Sequence, residues 1–165
     1  MDKPRIKIEL DISDWIIEII GATFLVLMIW FPLYYFHELP DTIPIHFNAS
    51  GEADGFSKKN TLWILPVIGL VMYIGMFFLN KFPHIFNYPK EITEENAERQ
   101  YRIATKLIRT INMLIAVSFF YIGHRTIQTA LNEQDGLGTF FLPIFLLTIF
   151  GTIGIYMYQA LKKNR

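Results

Sequence analysis

Four apolar stretches, each long enough to cross a hydrocarbon core, constrain this chain more than any other feature. A membrane-spanning helix needs about 20 consecutive, mostly apolar residues and must satisfy its backbone hydrogen bonds internally. The first stretch runs from about Trp15 to Phe36 and carries no charge from Ile19 onward. The second, from about Thr61 to Asn80, contains no Asp, Glu, Lys or Arg. The third, from about Leu107 to Leu131, has Arg109, His124 and Arg125 near its ends, where long basic side chains can snorkel to the interface. The fourth, from about Gly138 to Leu161, is charge-free and stops at Lys162, Lys163 and Arg165. Composition agrees: 18% of residues are charged, below the roughly one quarter usual in soluble domains. The expected fold is an all-α membrane protein of four transmembrane helices in a single domain, 1–165. Pro32, Pro66 and Pro143 fall in or near the spans, where kinks are expected.

Orientation follows from the basic residues. Lys3, Arg5 and Lys7 precede the first span, Lys81, Lys90, Arg99, Arg102, Lys106 and Arg109 lie between the second and third, and Lys162, Lys163 and Arg165 follow the fourth. Only Lys58, Lys59 and Arg125 fall on the other side, so twelve of fifteen Lys and Arg residues share one face. The positive-inside rule then places both termini and the 81–106 connection in the cytoplasm of a multi-pass cell-membrane protein. The first apolar run exceeds a signal-peptide core and no A-x-A-like site follows it, so it is expected to remain as the first helix. Glu18, the only acidic residue inside a span, is expected to reach cytoplasmic water. Asn112, Ser118, Tyr121, Thr148 and Thr152 are expected to hydrogen-bond between helices, with Gly151 and Gly154 allowing close approach.

The cytoplasmic connection reads as an amphipathic helix running without a break into the third span. Thr93 is the expected N-cap, with Glu94 and Glu95 in the first turn and i,i+4 pairs from Glu95 to Arg99 and from Glu98 to Arg102. It is either a solvated extension that fixes topology or a docking surface for a cytoplasmic partner.

Residues 37–60 face outward on this reading. Ile43, Ile45 and Phe47 alternate with Pro44, His46 and Asn48, a strand pattern. Ala49, Ser50 and Gly51 fit a three-residue hairpin loop whose last position takes the left-handed conformation that glycine adopts without steric cost. In that register His46 faces Asp54 and Asn48 faces Glu52, with Ile45, Phe47 and Ala53 on the reverse side. A two-residue loop would instead put Asp54 opposite Ile45.

The stretch "LPDTIPIHFNASGEADGFSKK" closely resembles the signature of the DUF1648 family of bacterial integral membrane proteins. Leu39, Pro40, Ile43, Pro44, His46, Asn48, Gly51, Asp54 and Lys58 occupy the corresponding positions. Residues 95–109, "ENAERQYRIATKLIR", look like a second stretch found after the second helix in many members. The resemblance relates the chain to the immunity proteins against the sporulation-delaying toxin, which carry further helices and are longer. It implies an outward motif loop whose ligand-binding candidates are Pro40, Pro44, His46, Asn48, Gly51, Glu52, Asp54 and Lys58.

Three function classes are compatible with these residues. The first is a non-enzymatic binding, sensing or immunity-type module whose outer hairpin meets a peptide or protein ligand. The second is a membrane-embedded, metal-dependent hydrolase using His46 and Asp54, since His plus carboxylate is a workable zinc shell. His37, His124, Glu38, Asp41, Glu52, Glu133 and Asp135 lie on the same side, yet no H-E-x-x-H spacing is present. The third is a small transporter component, which would require oligomerisation because no internal repeat or midplane charge pair is visible. His46 also has a plain structural role open to it, as a partner of Asp54 or of a backbone carbonyl that holds the hairpin. No cofactor is expected. The absence of cysteine excludes disulfides and thiolate chemistry, and zero net charge with no recognisable motif argues against a nucleic-acid partner. The lipid bilayer is the expected partner of such a chain.

Overall fold

A computed structural model describes residues 3–162. In chain order it contains α1 (Ile12–Tyr35), β1 (Thr42–Phe47), β2 (Ala53–Lys58), a 3-10 turn (Lys59–Trp63) that feeds α2 (Ile64–Leu79), α3 (Ala97–Ala130) and α4 (Phe141–Leu161). Among the described residues, four helical segments are long and apolar enough to cross a membrane. β1 and β2 form a two-stranded antiparallel hairpin between α1 and α2.

α1 begins where Asp11 and Asp14 cap each other. The Asp11 carboxylate accepts from the Asp14 N–H at 2.9 Å, and Asp14 accepts from the Asp11 N–H at 3.0 Å, so two orphan donors of the first turn are satisfied reciprocally. α3 begins at Asn96 rather than at Thr93. The Asn96 side chain is engaged with the turn before it, accepting from the Thr93 N–H at 3.1 Å and donating to Glu91 O at 2.9 Å.

Glu98 does pair with Arg102, at 3.4 Å. Arg99 instead turns away from Glu95 toward the end of α4, donating to Gln159 O at 2.7 Å and Lys162 O at 3.2 Å. Gln100 donates to Ala160 O at 3.0 Å and Lys90 to Leu161 O at 2.6 Å. Unpaired carbonyls at a helix C-terminus attract cations and donors, and here they draw the start of α3 onto the end of α4.

The helices alternate up and down around α3. α3 packs along α1 most extensively, touches α2, α4 and β1, and supplies the buried polar side chains Gln100, Thr105, Arg109, Asn112 and Thr126. α4 rests chiefly on α3 and turns Ile144, Leu147, Phe150 and Ile155 outward, a surface that suits acyl chains rather than water. Gly151 and Gly154 have nothing close to them. Close approaches lie instead at Gly69, where a Cβ would run into Met28 Cε, and at Gly21, where it would come within 3.0 Å of the Tyr73 hydroxyl and 3.4 Å of the Met113 backbone. Of the side chains expected to bond between helices, Asn112 does so, donating to Tyr73 O at 3.1 Å. Thr148 bonds back to Ile144 in its own helix.

The hairpin lies down on the bundle. Ile43 is fully buried in a cluster with Leu39, Leu62 and Ile127, which joins the end of α1, the 3-10 turn and the end of α3. Its tip is held by backbone contact. Gly51, at φ +82°, accepts from the Leu137 N–H at 2.7 Å, while Arg125 secures the α3–α4 loop by donating to Gly136 O at 2.7 Å and Gln134 Oε1 at 2.9 Å. A Cβ at Gly51 would meet Gly138 O at 2.5 Å. Gly51→Ala is therefore predicted to lower stability by about 1–3 kcal/mol from the left-handed backbone alone, more with the clash. Gly75→Ala, with nothing within 4 Å, is predicted to leave the midpoint unchanged or raised. Thermal unfolding of both variants in detergent checks this, and equal midpoints would show that the hairpin tip does not bear on stability.

Candidate functional site

The structure gathers polar chemistry into two places at opposite ends of the bundle. The first is the exposed face of the hairpin. Pairing runs Thr42↔Lys58, Ile43↔Ser57 and Pro44↔Phe56, then shifts to His46↔Gly55 before returning to Phe47↔Ala53. Ile45 and Asp54 are thus the two skipped positions, one on each strand. Pro44 has no N–H to offer the ladder, and the bulge follows directly after it. The regular alternation expected for β1 is lost as a result: Ile43 and Pro44 are both buried, whereas Ile45 and His46 are both exposed. Ile45 consequently does not belong to the packed face with Phe47.

His46 and Asp54 meet although they are not cross-strand partners, with Nδ1 and Oδ1 2.5 Å apart. The pair is open to solvent, the side chains being 70% and 45% exposed. Asn48 organises the turn. Its Oδ1 accepts from the Ser50 and Glu52 N–H groups at 2.9 and 3.0 Å, and its Nδ2 donates to Glu52 Oε2 at 2.9 Å, the local bonding for which Asn is favoured in turns.

Pro40 and Lys58 are exposed, and Gly51 is buried against the α3–α4 loop. Lys59 is tied down, donating to Leu39 O at 3.2 Å and lying 3.7 Å from Asp41. His124 does not join His46: its ring lies 5.2 Å from that of Phe31 and 5.8 Å from that of Phe120. Among the described residues, no group of three or more His, Asp or Glu side chains is placed to hold a metal ion.

The second place is a buried ion-pair network between α1 and α3. Arg109 does not extend outward but turns into the bundle. It is 6% exposed and donates through Nη1 to Asp14 Oδ1 and through Nε to Glu18 Oε1, each at 2.9 Å. Glu18 likewise turns inward and accepts from the Tyr73 hydroxyl of α2 at 3.1 Å. One turn nearer the helix ends, Lys106 reaches Asp11 at 2.8 Å and Asp14 at 3.9 Å. The Lys106 ammonium, assisted by the Ser13 hydroxyl and the Asp14 N–H, holds the Asp11 carboxyl well below the usual carboxylate range.

Sequence reasoning missed Asp14, expected Arg109 to snorkel and expected Glu18 to reach water. A signal was nevertheless present: Asp14 and Glu18 at i,i+4 put two carboxylates on one helical face, and Lys106 and Arg109 at i,i+3 put two cations on another. What was missing was the knowledge that these faces meet.

Comparison with known proteins places the hairpin at the centre of a shared region. Residues 23–70 match the family model described as "Domain of unknown function (DUF1648)". The match runs from the second half of α1 through the hairpin to the first turns of α2. It is also 23% identical over 135 residues, covering 73% of this chain and 74% of the other, to a protein of Archaeoglobus fulgidus described as "Uncharacterized protein". No solved structure matches. Four apolar helices are consistent with a multi-pass membrane protein.

Removing the guanidinium would leave the Glu18 carboxylate without an ion pair and the buried Asp14 with only Lys106, 3.9 Å away. Arg109→Met is predicted to destabilise by about 3–5 kcal/mol, against under about 1 kcal/mol for Glu98→Ala at the exposed pair with Arg102, measured by unfolding in one detergent. Because the folded-state pKa of Asp11 is depressed, its contribution is present at neutral pH and is lost as pH falls below about 4, the ordinary carboxylate value. The gap in midpoint between the wild type and Asp11→Asn is accordingly predicted to be largest near pH 7 and to shrink below pH 4. A gap that widened on acidification would contradict the assignment.

Proposed function

We propose that the chain is a non-enzymatic, multi-pass cell-membrane protein with both termini in the cytoplasm, and that its outward hairpin receives a cationic peptide or protein ligand. The observation that carries this reading is the pairing of a fixed backbone with an acidic surface. Glu38, Asp41, Glu52, Asp54, Glu133 and Asp135 are all exposed at the hairpin end. The cations there are fewer: Lys59 is engaged with Leu39 and Asp41, Arg125 is bonded to neutral oxygens of the α3–α4 loop, and Lys58 has no ion pair among the described residues. An acidic surface of this kind raises the local concentration of cationic partners and speeds their encounter. Because Ile43 and Gly51 anchor the hairpin at both ends, little ordering entropy opposes binding.

The orientation rests on the placement of the basic residues toward the end that bears the amino terminus. Sensing and immunity-type recognition both belong to this reading, since each requires a fixed outer face that distinguishes a ligand.

Two measurements test it. The chain has no cysteine, so single cysteines at Ser50 and at Glu94 are predicted to be labelled by a membrane-impermeant maleimide in intact cells at Ser50 only. Labelling at Glu94 alone would invert the topology. A fluorescent lysine-rich peptide is predicted to bind proteoliposomes of uncharged lipid above the level of protein-free vesicles. The Glu52→Gln/Asp54→Asn/Glu133→Gln variant should weaken that binding at least about tenfold at low salt, with the difference collapsing as salt screens it. Equal binding by wild type and variant would sink the receptor reading.

A further inference from the structure

A cavity of about 360 Å³ lies at the end of the bundle opposite the hairpin. It is covered by the segment that leads into α1 and bordered by the end of α2 and the start of α3. This volume is at the lower end for small-molecule sites, the size of a headgroup rather than of a whole lipid.

Its lining combines three cationic side chains, the Glu18 carboxylate that is already paired with Arg109, and an unsatisfied acceptor. Lys7 and Lys81 both border it, and neither has a carboxylate partner among the described residues. The Lys81 ammonium lies over the rings of Phe77 and Phe78, at 5.2 and 4.6 Å. Arg109 forms part of the wall. Its Nε and Nη1 are taken by Glu18 and Asp14, leaving Nη2 outside both ion pairs. Asn80 donates through Nδ2 to Thr105 O at 3.0 Å, while its buried Oδ1 has no hydrogen-bond partner. A buried acceptor without a donor is costly, so the wall favours an occupant that brings an O–H or N–H. Phe77 and Leu10 supply apolar lining beside these groups.

From this combination we infer that the cavity binds a phosphate-bearing anion with an adjacent hydroxyl group, as in the headgroup of an anionic glycerophospholipid. The negative oxygens lie toward Lys7, Lys81 and the free edge of Arg109, and the hydroxyl donates to Asn80 Oδ1. Charge-assisted bonds from Lys and Arg to phosphate are the strong ones, and basic pockets between helices at the membrane border bind anionic headgroups on the same principle. Arg109 is already paired, so Lys7 and Lys81 carry the selectivity for anions.

The test uses the full chain in an uncharged detergent, with thermal unfolding followed during titration by phosphatidylglycerol, phosphatidylcholine or inorganic phosphate. Phosphatidylglycerol is expected to raise the midpoint by several degrees and phosphatidylcholine to leave it unchanged. Lys7→Gln/Lys81→Gln is expected to raise the half-saturating phosphatidylglycerol at least about fivefold, and Lys7→Arg/Lys81→Arg to restore it. Lys58→Gln, at the hairpin end, is expected to behave as wild type. Both lysines are exposed and outside the ion-pair network, so the variants fold. If inorganic phosphate reproduces the shift and the double glutamine variant loses it, the anion site stands with free phosphate as its source. Equal half-saturation for wild type and Lys7→Gln/Lys81→Gln, an equal loss in Lys58→Gln, or an equal shift with phosphatidylcholine would overturn the inference.

Discussion

Arg109, held between Asp14 and Glu18, is the contact on which the arrangement of the bundle depends. Within a bilayer, lipid tails are as apolar as leucine, so helices gain little from burying apolar surface against one another. Association must come from close packing and from polar groups that find no alternative partner in lipid. A guanidinium aimed at two carboxylates on the adjacent helix satisfies that requirement in one rotational setting of α3 against α1. The Tyr73 hydroxyl, bonded to Glu18, extends the same contact to α2, and Gly21 allows Tyr73 and the backbone of α3 to come close. α4 joins by a different device, its terminal carbonyls receiving Lys90, Arg99 and Gln100. α3 is consequently the central element, and its polar composition relative to the other helices follows from that position.

The two ends of the bundle then take different characters. At one end, a hairpin is fixed by the apolar cluster around Ile43 and by backbone contact between Gly51 and Leu137. At the other, cations predominate around a cavity whose wall includes Arg109 itself. The same arginine that holds α1 to α3 therefore borders this cavity. Exposed carboxylates thus gather at the hairpin end, and Lys7, Lys81 and Arg109 around the cavity at the other.

Much of this was legible in the sequence where the cause is local. Spans were readable because an uninterrupted apolar run has few other ways to satisfy its backbone. The hairpin turn was readable because Asn48 and Gly51 have conformational preferences that act within four residues. The bulge was signalled by Pro44, whose missing donor breaks the ladder, but the regular register was the simpler reading. The ion-pair network was not readable, since Arg109 and Asp14 are 95 positions apart and a lone arginine near a span border more often snorkels than pairs. Arg99 escaped for the same reason: Glu95 lay at i,i−4, while its true partners lie about 60 residues onward.

The most direct test of the central claim is a double-mutant cycle on Asp14 and Arg109, with Asp14→Asn, Arg109→Gln and the combined variant unfolded in the same detergent. If these side chains hold α1 to α3 as described, the two losses fall short of additivity by about 1–3 kcal/mol, the range found for residues in direct contact. Losses that add within about 0.5 kcal/mol, as they do for independent sites, would mean that Arg109 and Asp14 are not coupled and that the bundle is organised by something else.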